Sequence, residues 1–338
     1  MVGKLYTGKN VNFTFLPHGD VKEISAGNII INQFVANEFD GSVNNLFLRI
    51  HSEGTITSYP LVGKKSKSTV EFFENGIRFE GNIEGISYQV DFKLTDQDVW
   101  FWETRLSGQG QLVDVVYGQD LGLANYGVVL TNEAYNSQYL DHSTYKGKNG
   151  HVICTRQNMP QGTVFPYLQQ GSLTKNRHFS TDGYQFFSKN DQNDITDYLN
   201  NNSELESVVY QYEMAYTGIQ SELITLSDEK QEVVFYGAYS EDHPTAVTAI
   251  AIDEKEIEAT YSKLEKLSNS VTKNEASDVM ISDLSGMALS LEEINELFPT
   301  RKVEEFTESG ELLSFFDEED YHVVLKEKEL LMERSHGH

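Results

Sequence analysis

Between Val113 and Asn158 the chain concentrates side chains that could hold a sugar. From Thr131 to Asp141, amides, hydroxyls and carboxylates alternate with the rings of Tyr135 and Tyr139, and Arg156, Gln157 and Asn158 follow close behind. A pyranose asks for this mixture: its hydroxyls take paired donors and acceptors, and its apolar face takes an aromatic ring. Tyr135, Gln138, Tyr139, Arg156, Gln157 and Asn158 are therefore the candidate substrate-binding residues. The same amides and carboxylates also suit a well-ordered loop that satisfies backbone groups inside a β-sandwich, and the residues alone leave both readings open. Neither Asp120 nor Glu133 stands in a motif that assigns it a catalytic acid role.

Other chemistry is poorly supported. His142, His151 and His178 lack metal-ligand spacing, and one cysteine is available to join them, so no metal site is expected. Cys154 in His-Val-Ile-Cys-Thr-Arg reads as a small buried hydrophobe, and as the sole cysteine it allows no internal disulfide. Gly118 to Gly127 contains several glycines without the Lys and Ser/Thr of a phosphate loop. Gln119-Asp120 beside them marks a tight turn where the backbone packs closely.

The elements that must position these residues are mostly strands. From Leu5 to about Phe235, short alternating runs are separated by Gly, Asn and Asp, as at Pro17-His18-Gly19-Asp20, Phe39-Asp40-Gly41-Ser42 and Thr181-Asp182-Gly183. Asn75-Gly76 between apolar runs is the clearest hairpin. Leu112 to Tyr117 and Tyr126 to Leu130 have the length of buried strands, and strand signals resume at Gln185 to Phe187 and Ser207 to Tyr216. Asn200-Asn201-Asn202 reads as a polar loop. The pattern predicts a mainly β fold, a large antiparallel sandwich over residues 1–252.

After Asp253 the pattern changes to helical. Ile257, Tyr261, Leu264 and Leu267 fall at helical spacing and predict about 15 residues of helix. Ser290 and Glu293 form a capping box for a second helix ending before Pro299. Residues 253–311 are thus expected to be a short helical linker, and 312–338 a strand and a lead-in. Charge sets limits on partners: 26 Lys+Arg against 52 Asp+Glu give −26, which repels a phosphate backbone, so nucleic acid is excluded. No apolar run reaches the ~18 residues of a membrane span and no secretory signal is evident, so a cytoplasmic protein is expected.

Several stretches in order resemble the bacterial glycoside phosphorylases of the cellobiose phosphorylase family, most closely the 1,2-β-oligoglucan phosphorylases: Val113–Ala124, Thr131–His142, Arg156–Gln161, Phe165–Lys175, Thr181–Phe187, Tyr210–Ala215, Leu312–Phe316 and His322–His338. The resemblance implies a galactose-mutarotase-like β-supersandwich leading through helices into an (α/α)6 barrel. It implies cleavage of a β-glucosidic bond by inorganic phosphate, with inversion, to give α-glucose 1-phosphate. The catalytic acid then belongs to the barrel, expected beyond His338, and this chain is expected to be a catalytically inert fragment. Its role is scaffold, dimerisation surface and contributor to the sugar cleft. No cofactor is implied, only phosphate as co-substrate. The implied partners are a β-1,2-glucooligosaccharide, the chain's own barrel and a second copy. A free-standing carbohydrate-binding module and a mutarotase-like epimerase are the alternatives.

Overall fold

The computed structural model describes residues 3–38, 40–131, 133–186, 195–211, 214–276, 290–318 and 322–325. The chain divides into two compact units, Met1–Val279 and Met280–His338. The first is the expected antiparallel sandwich. A nine-stranded sheet begins at the edge strand Leu140–Gly147 and runs through Gly150–Gln157, Tyr167–Ser172, Gln231–Ser240, Val99–Ser107, Ile86–Leu94, Gly76–Ile83 and Thr69–Phe73 to Ser270–Glu275. A six-stranded sheet has Leu112–Asp120 near its centre, flanked by Ala215–Ser221 and Asn45–Ser52. A third sheet of five strands holds Val11–Phe15 and Val21–Ala26.

Alternation explains why the sheets stack. Trp100, Trp102, Val90 and Phe92 point from the nine-stranded sheet into one core with Val113, Val115 and Tyr117 of the six-stranded sheet and Phe13 and Phe15 of the third. Rings meet at the centre, with Phe13 to Phe92 and Phe92 to Trp102 each at 4.7 Å between centroids. The residues between them face outward and are buried too. Val99 and Phe101 lie under Ile257 of the helix Glu254–Ser262. Phe47, Val116 and Tyr216 lie under Leu199 of the helix Ile195–Asn201.

The outer cover of the six-stranded sheet is fastened by charge. Arg49 and Asp114 are opposite each other across two strands, both fully buried, and bond bidentately at 2.7 and 2.7 Å. The guanidinium also donates to the carbonyls of Leu199, Asn202 and Ser203 at 3.3, 2.7 and 2.8 Å, tying down the end of the covering helix. His51 Nε2 stands 2.9 Å from Asp114. Burial works to raise the Asp114 pKa, but the hydrogen bonds and charge of His51 and Arg49 outweigh it and hold the carboxyl below its ordinary value.

Several local expectations hold. Phe73 pairs with Gly76 around the Glu74-Asn75 turn, a helix follows Asp253, and Ser290 and Glu293 form the capping box of Leu291–Leu297. Others differ. Tyr126 to Leu130 lies in a helix, Tyr126–Thr131, with Val129 as its buried residue; a five-residue apolar run does not distinguish helix from strand, and contact with Ile30 and Ala124 decides. Gly183–Phe186 is likewise helical where Gln185 to Phe187 reads as strand; Phe187 falls outside the described residues. Asn200 and Asn201 end the helix Ile195–Asn201. The helix after Asp253 has 9 residues rather than about 15. Among the described residues the 253–311 stretch holds two helices and also two strands, Ser270–Glu275 and Lys302–Phe306.

In the second unit Phe298 packs edge-on against the buried Phe315 at 5.1 Å, and Lys302–Phe306, Leu312–Phe316 and His322–Val324 form a three-stranded sheet. No helix among the described residues is long and apolar enough to cross a membrane.

Replacing Arg49 with Leu leaves Asp114 buried without its main partner, and is expected to cost about 3–5 kcal/mol in urea unfolding. The double variant Arg49→Leu/Asp114→Leu should recover most of that loss.

Candidate functional site

The edge hairpin of the nine-stranded sheet, Leu140–Gly147 with Gly150–Gln157, places the candidate residues at its open end. The short helix Glu133–Ser137 leads in, and the Tyr139 N–H closes its last turn on Asn136 O at 3.1 Å. The Asn158 N–H then donates to Tyr139 O at 2.8 Å, so both ends of the hairpin meet. Helical spacing of four brings Tyr135 over Tyr139: the rings are edge to face at 5.1 Å and the hydroxyls are 2.7 Å apart. Tyr135 is 46% exposed, Gln138 and Asn158 are exposed, and Tyr139 is half-buried. The hydrogen bond shared with the Tyr135 hydroxyl raises the Tyr139 pKa.

Arg156 and Gln157 are placed differently. Arg156 is buried, its guanidinium 4.2 Å from the Phe165 ring centre. It donates to His243 O at 2.6 Å and Pro244 O at 3.4 Å, and to Asn158 Oδ1. Its donors are used in pinning the segment that covers the outer face of the sheet and in orienting Asn158. Gln157 is fully buried; its Oε1 accepts from Met159 N at 3.0 Å. Tyr135, Gln138, Tyr139 and Asn158 are thus the candidates a ligand can reach, with Arg156 behind them.

The support beneath this platform centres on Asp120, which ends the strand Leu112–Asp120 rather than lying in a tight turn, and on Gln33, Phe34, Asn44 and Ser137, to which the sequence pattern does not point. Ser137 Oγ donates to Gln33 Oε1 at 3.1 Å. The N–H groups of Gln33 and Phe34 both donate to one oxygen of Asp120, at 2.7 and 2.6 Å, and Asn44 Oδ1 accepts from Asp120 N at 2.7 Å. The other carboxylate oxygen, Oδ1, is buried and has no hydrogen-bond partner among the described residues. Burial is the largest influence and overrides these donors, pushing the Asp120 pKa up to about 6. Gly118, two residues earlier, has no room for a side chain, since a Cβ there would lie 2.1 Å from the Tyr216 hydroxyl.

Behind the platform the two sheets share a polar seam. Trp100 Nε1 donates to the Tyr117 hydroxyl at 3.2 Å, which donates to Gln119 Oε1; Gln170 bonds Gln119 at 3.4 Å, and Thr217 donates to Gln170 at 2.8 Å. The space beside it, lined by Asn44, Tyr117 and Gln119 among others, is about 10 Å³. That is room for about one water and not for a sugar. His142 is buried with its Nδ1 2.9 Å from Thr155 Oγ1, and burial pushes its pKa down to about 4, so it is neutral at physiological pH. Cys154 is buried, which pushes its thiol up to about 11 and keeps it unreactive.

Asp120 makes stability depend on pH in a defined direction. Its folded pKa lies above the ordinary 3.8, so the native state binds the proton more tightly, and stability falls as pH rises from about 4 through 6. The shift corresponds to about 3 kcal/mol at most. In Asp120→Asn this part of the decline is expected to vanish, as read from urea unfolding at pH 5 and pH 8.

Residues 14–237 match the family described as the SOGP N-terminal domain, and residues 298–338 match the glycoside phosphorylase supersandwich domain. A 1,2-beta-oligoglucan phosphorylase of Listeria innocua serovar 6a is 34% identical over 330 residues, covering 97% of this chain and 29% of that protein. The chain therefore spans less than a third of its relative's length. Among solved structures, a GalM/aldose epimerase homologue from C. elegans aligns over 72% of this chain and 100% of its own at 9% identity and TM-score 0.39. Galactose 1-epimerase from Lactobacillus acidophilus NCFM aligns over 70% and 93% at 10% identity and TM-score 0.37. With the family match running through both large sheets and the platform between them, this chain belongs to the SOGP N-terminal domain family.

Proposed function

We propose that this chain is the non-catalytic N-terminal part of a β-1,2-oligoglucan phosphorylase, an enzyme that uses inorganic phosphate to split β-1,2-glucooligosaccharides and release α-glucose 1-phosphate. The observation that carries this reading is 34% identity along 97% of the chain to a relative of that activity, of which the chain spans 29%. In this reading the sandwich is a scaffold for a separate (α/α)6 barrel, which supplies the carboxylic acid that protonates the leaving oxygen while phosphate attacks the opposite face. The intact enzyme is a cytoplasmic homodimer, with the sandwich at its interface. No cofactor takes part.

Tyr135, Tyr139, Gln138 and Asn158 are the contribution to the sugar cleft. An exposed aromatic pair beside amide donors and acceptors matches the apolar face and the hydroxyls of a glucose unit. Arg156 acts through Asn158, whose Oδ1 it holds, and Gln157 through the loop it anchors. The exposed tyrosines also favour a second reading, in which the chain binds carbohydrate on its own.

Two measurements test this. The 338-residue chain is expected to release no glucose 1-phosphate from sophoro-oligosaccharides and phosphate; release would overturn the assignment of catalysis to another domain. In a phosphorylase carrying this chain, Tyr135→Ala or Tyr139→Ala should raise KM for the glucan about tenfold, the loss of one ring contact of ~1 kcal/mol or more, while KM for phosphate is unchanged. Calorimetry of the chain alone with the same oligosaccharides separates the second reading, since heat of binding is expected there and not in the first.

A further inference from the structure

At the turn end of the same hairpin, away from Tyr139, four basic side chains gather. Lys146 is exposed and its Nζ lies 2.6 Å from His151 Nε2 across the hairpin. An ammonium can only donate, so the imidazole accepts there and is neutral. His151 also packs on Phe179 at 4.8 Å, and its backbone bonds the Asn176 side chain at 2.7 and 3.2 Å, which sets the strand Asn176–Asp182 alongside.

In that strand the pairing slips between Asn176 and His178, leaving Arg177 as the extra residue. Bulges of this kind re-aim a side chain. The Arg177 guanidinium is 27% exposed and reaches Glu204 only at 3.7 Å, and its buried Nε has no hydrogen-bond partner among the described residues. His178 follows, with Nδ1 3.0 Å from Ser207 Oγ and Nε2 3.5 Å from the same exposed Glu204 carboxylate.

This grouping reverses the balance of a chain with twice as many acids as bases. Lysine and arginine repel a metal ion, and no set of three ligating residues exists among the described residues. A tetrahedral oxyanion is the ligand that suits a guanidinium fork and an ammonium point charge together with imidazole rings that become full N–H donors on protonation. We propose that Lys146, His151, Arg177 and His178 form a binding site for a phosphate group, free or carried on a sugar.

The histidines give the site a pH dependence. Burial lowers the pKa of both; at His151 Lys146 and the other imidazole add to this and a hydrogen bond to the Arg177 backbone opposes it, while at His178 Glu204 and Asp114 oppose it and Arg177 reinforces it. A bound dianion favours both protonated rings, so anion and protons bind together and affinity rises as pH falls.

Imidazole proton NMR of the whole chain at constant ionic strength tests this. Because phosphate itself takes up a proton near pH ~6, sulfate serves for the pH series. Replacing chloride with sulfate is expected to raise the apparent pKa of His151 and His178 but not of His142, and sulfate should bind about tenfold more tightly at pH 5.5 than at pH 8. Lys146→Gln and Arg177→Gln should each weaken it about tenfold. Displacement of sulfate by inorganic phosphate, or instead by glucose 1-phosphate, identifies the source of the group. Histidine shifts equal in chloride and sulfate, or variants that respond like the wild type, overturn the proposal. The result is independent of whether Tyr135 and Tyr139 touch glucan.

Discussion

A guanidinium taken wholly out of water must find acceptors for all five of its N–H groups, and Arg49 finds them on two parts of the fold at once. Two bonds go to Asp114 within the six-stranded sheet and three to carbonyls at the end of the covering helix. A sandwich sheet with one face turned to solvent would alternate apolar and polar residues. Here both faces are apolar, because the outer one has a lid. The ion pair is what commits the lid to one position. Apolar contacts alone would tolerate sliding, whereas three directional bonds from the sheet to the lid in a low-dielectric site do not.

The same logic, on a smaller scale, organises the platform. Asp120 gathers the Gln33 and Phe34 amides, Gln33 receives Ser137, and Ser137 ends the helix that presents Tyr135. Arg156 performs the corresponding task from the other side through Asn158. The reachable residues are thus few and lie on buried polar side chains that are mostly satisfied. Among the described residues the exceptions include Nδ2 of Asn44, Nε2 of Gln157 and Oδ1 of Asp120, whose burial favours the protonated acid.

Much of this was legible before any coordinates. The length of the apolar run Leu112 to Tyr117 points to a buried strand, and the lone Arg of Leu-Phe-Leu-Arg-Ile and lone Asp of Val-Asp-Val-Val are the visible signal of a buried pair. The tyrosine pair and Asn158 stand out as candidates from their chemistry, and the fold leaves them reachable. What sequence could not supply was context. Tyr126 to Leu130 is apolar enough for a strand and becomes a helix because Val129 meets Ile30 and Ala124. Arg156 carries the composition of a ligand contact, yet carbonyls distant in sequence consume its donors. Ser270–Glu275 is almost entirely exposed, so it shows no burial alternation to betray it as a strand.

That last strand has a consequence for how the chain is made. It pairs with Thr69–Phe73, and the Thr69 to Glu275 contact joins residues 206 apart. On a ribosome adding about 5–20 residues per second, the edge carrying Val70, Phe72 and Phe73 waits roughly 10–40 seconds for its neighbour to emerge. During that interval the nascent sheet offers an unpaired, aromatic-rich border. Protection of the growing polypeptide by chaperones, and the speed of translation across this gap, therefore bear on yield more than any property of the finished fold.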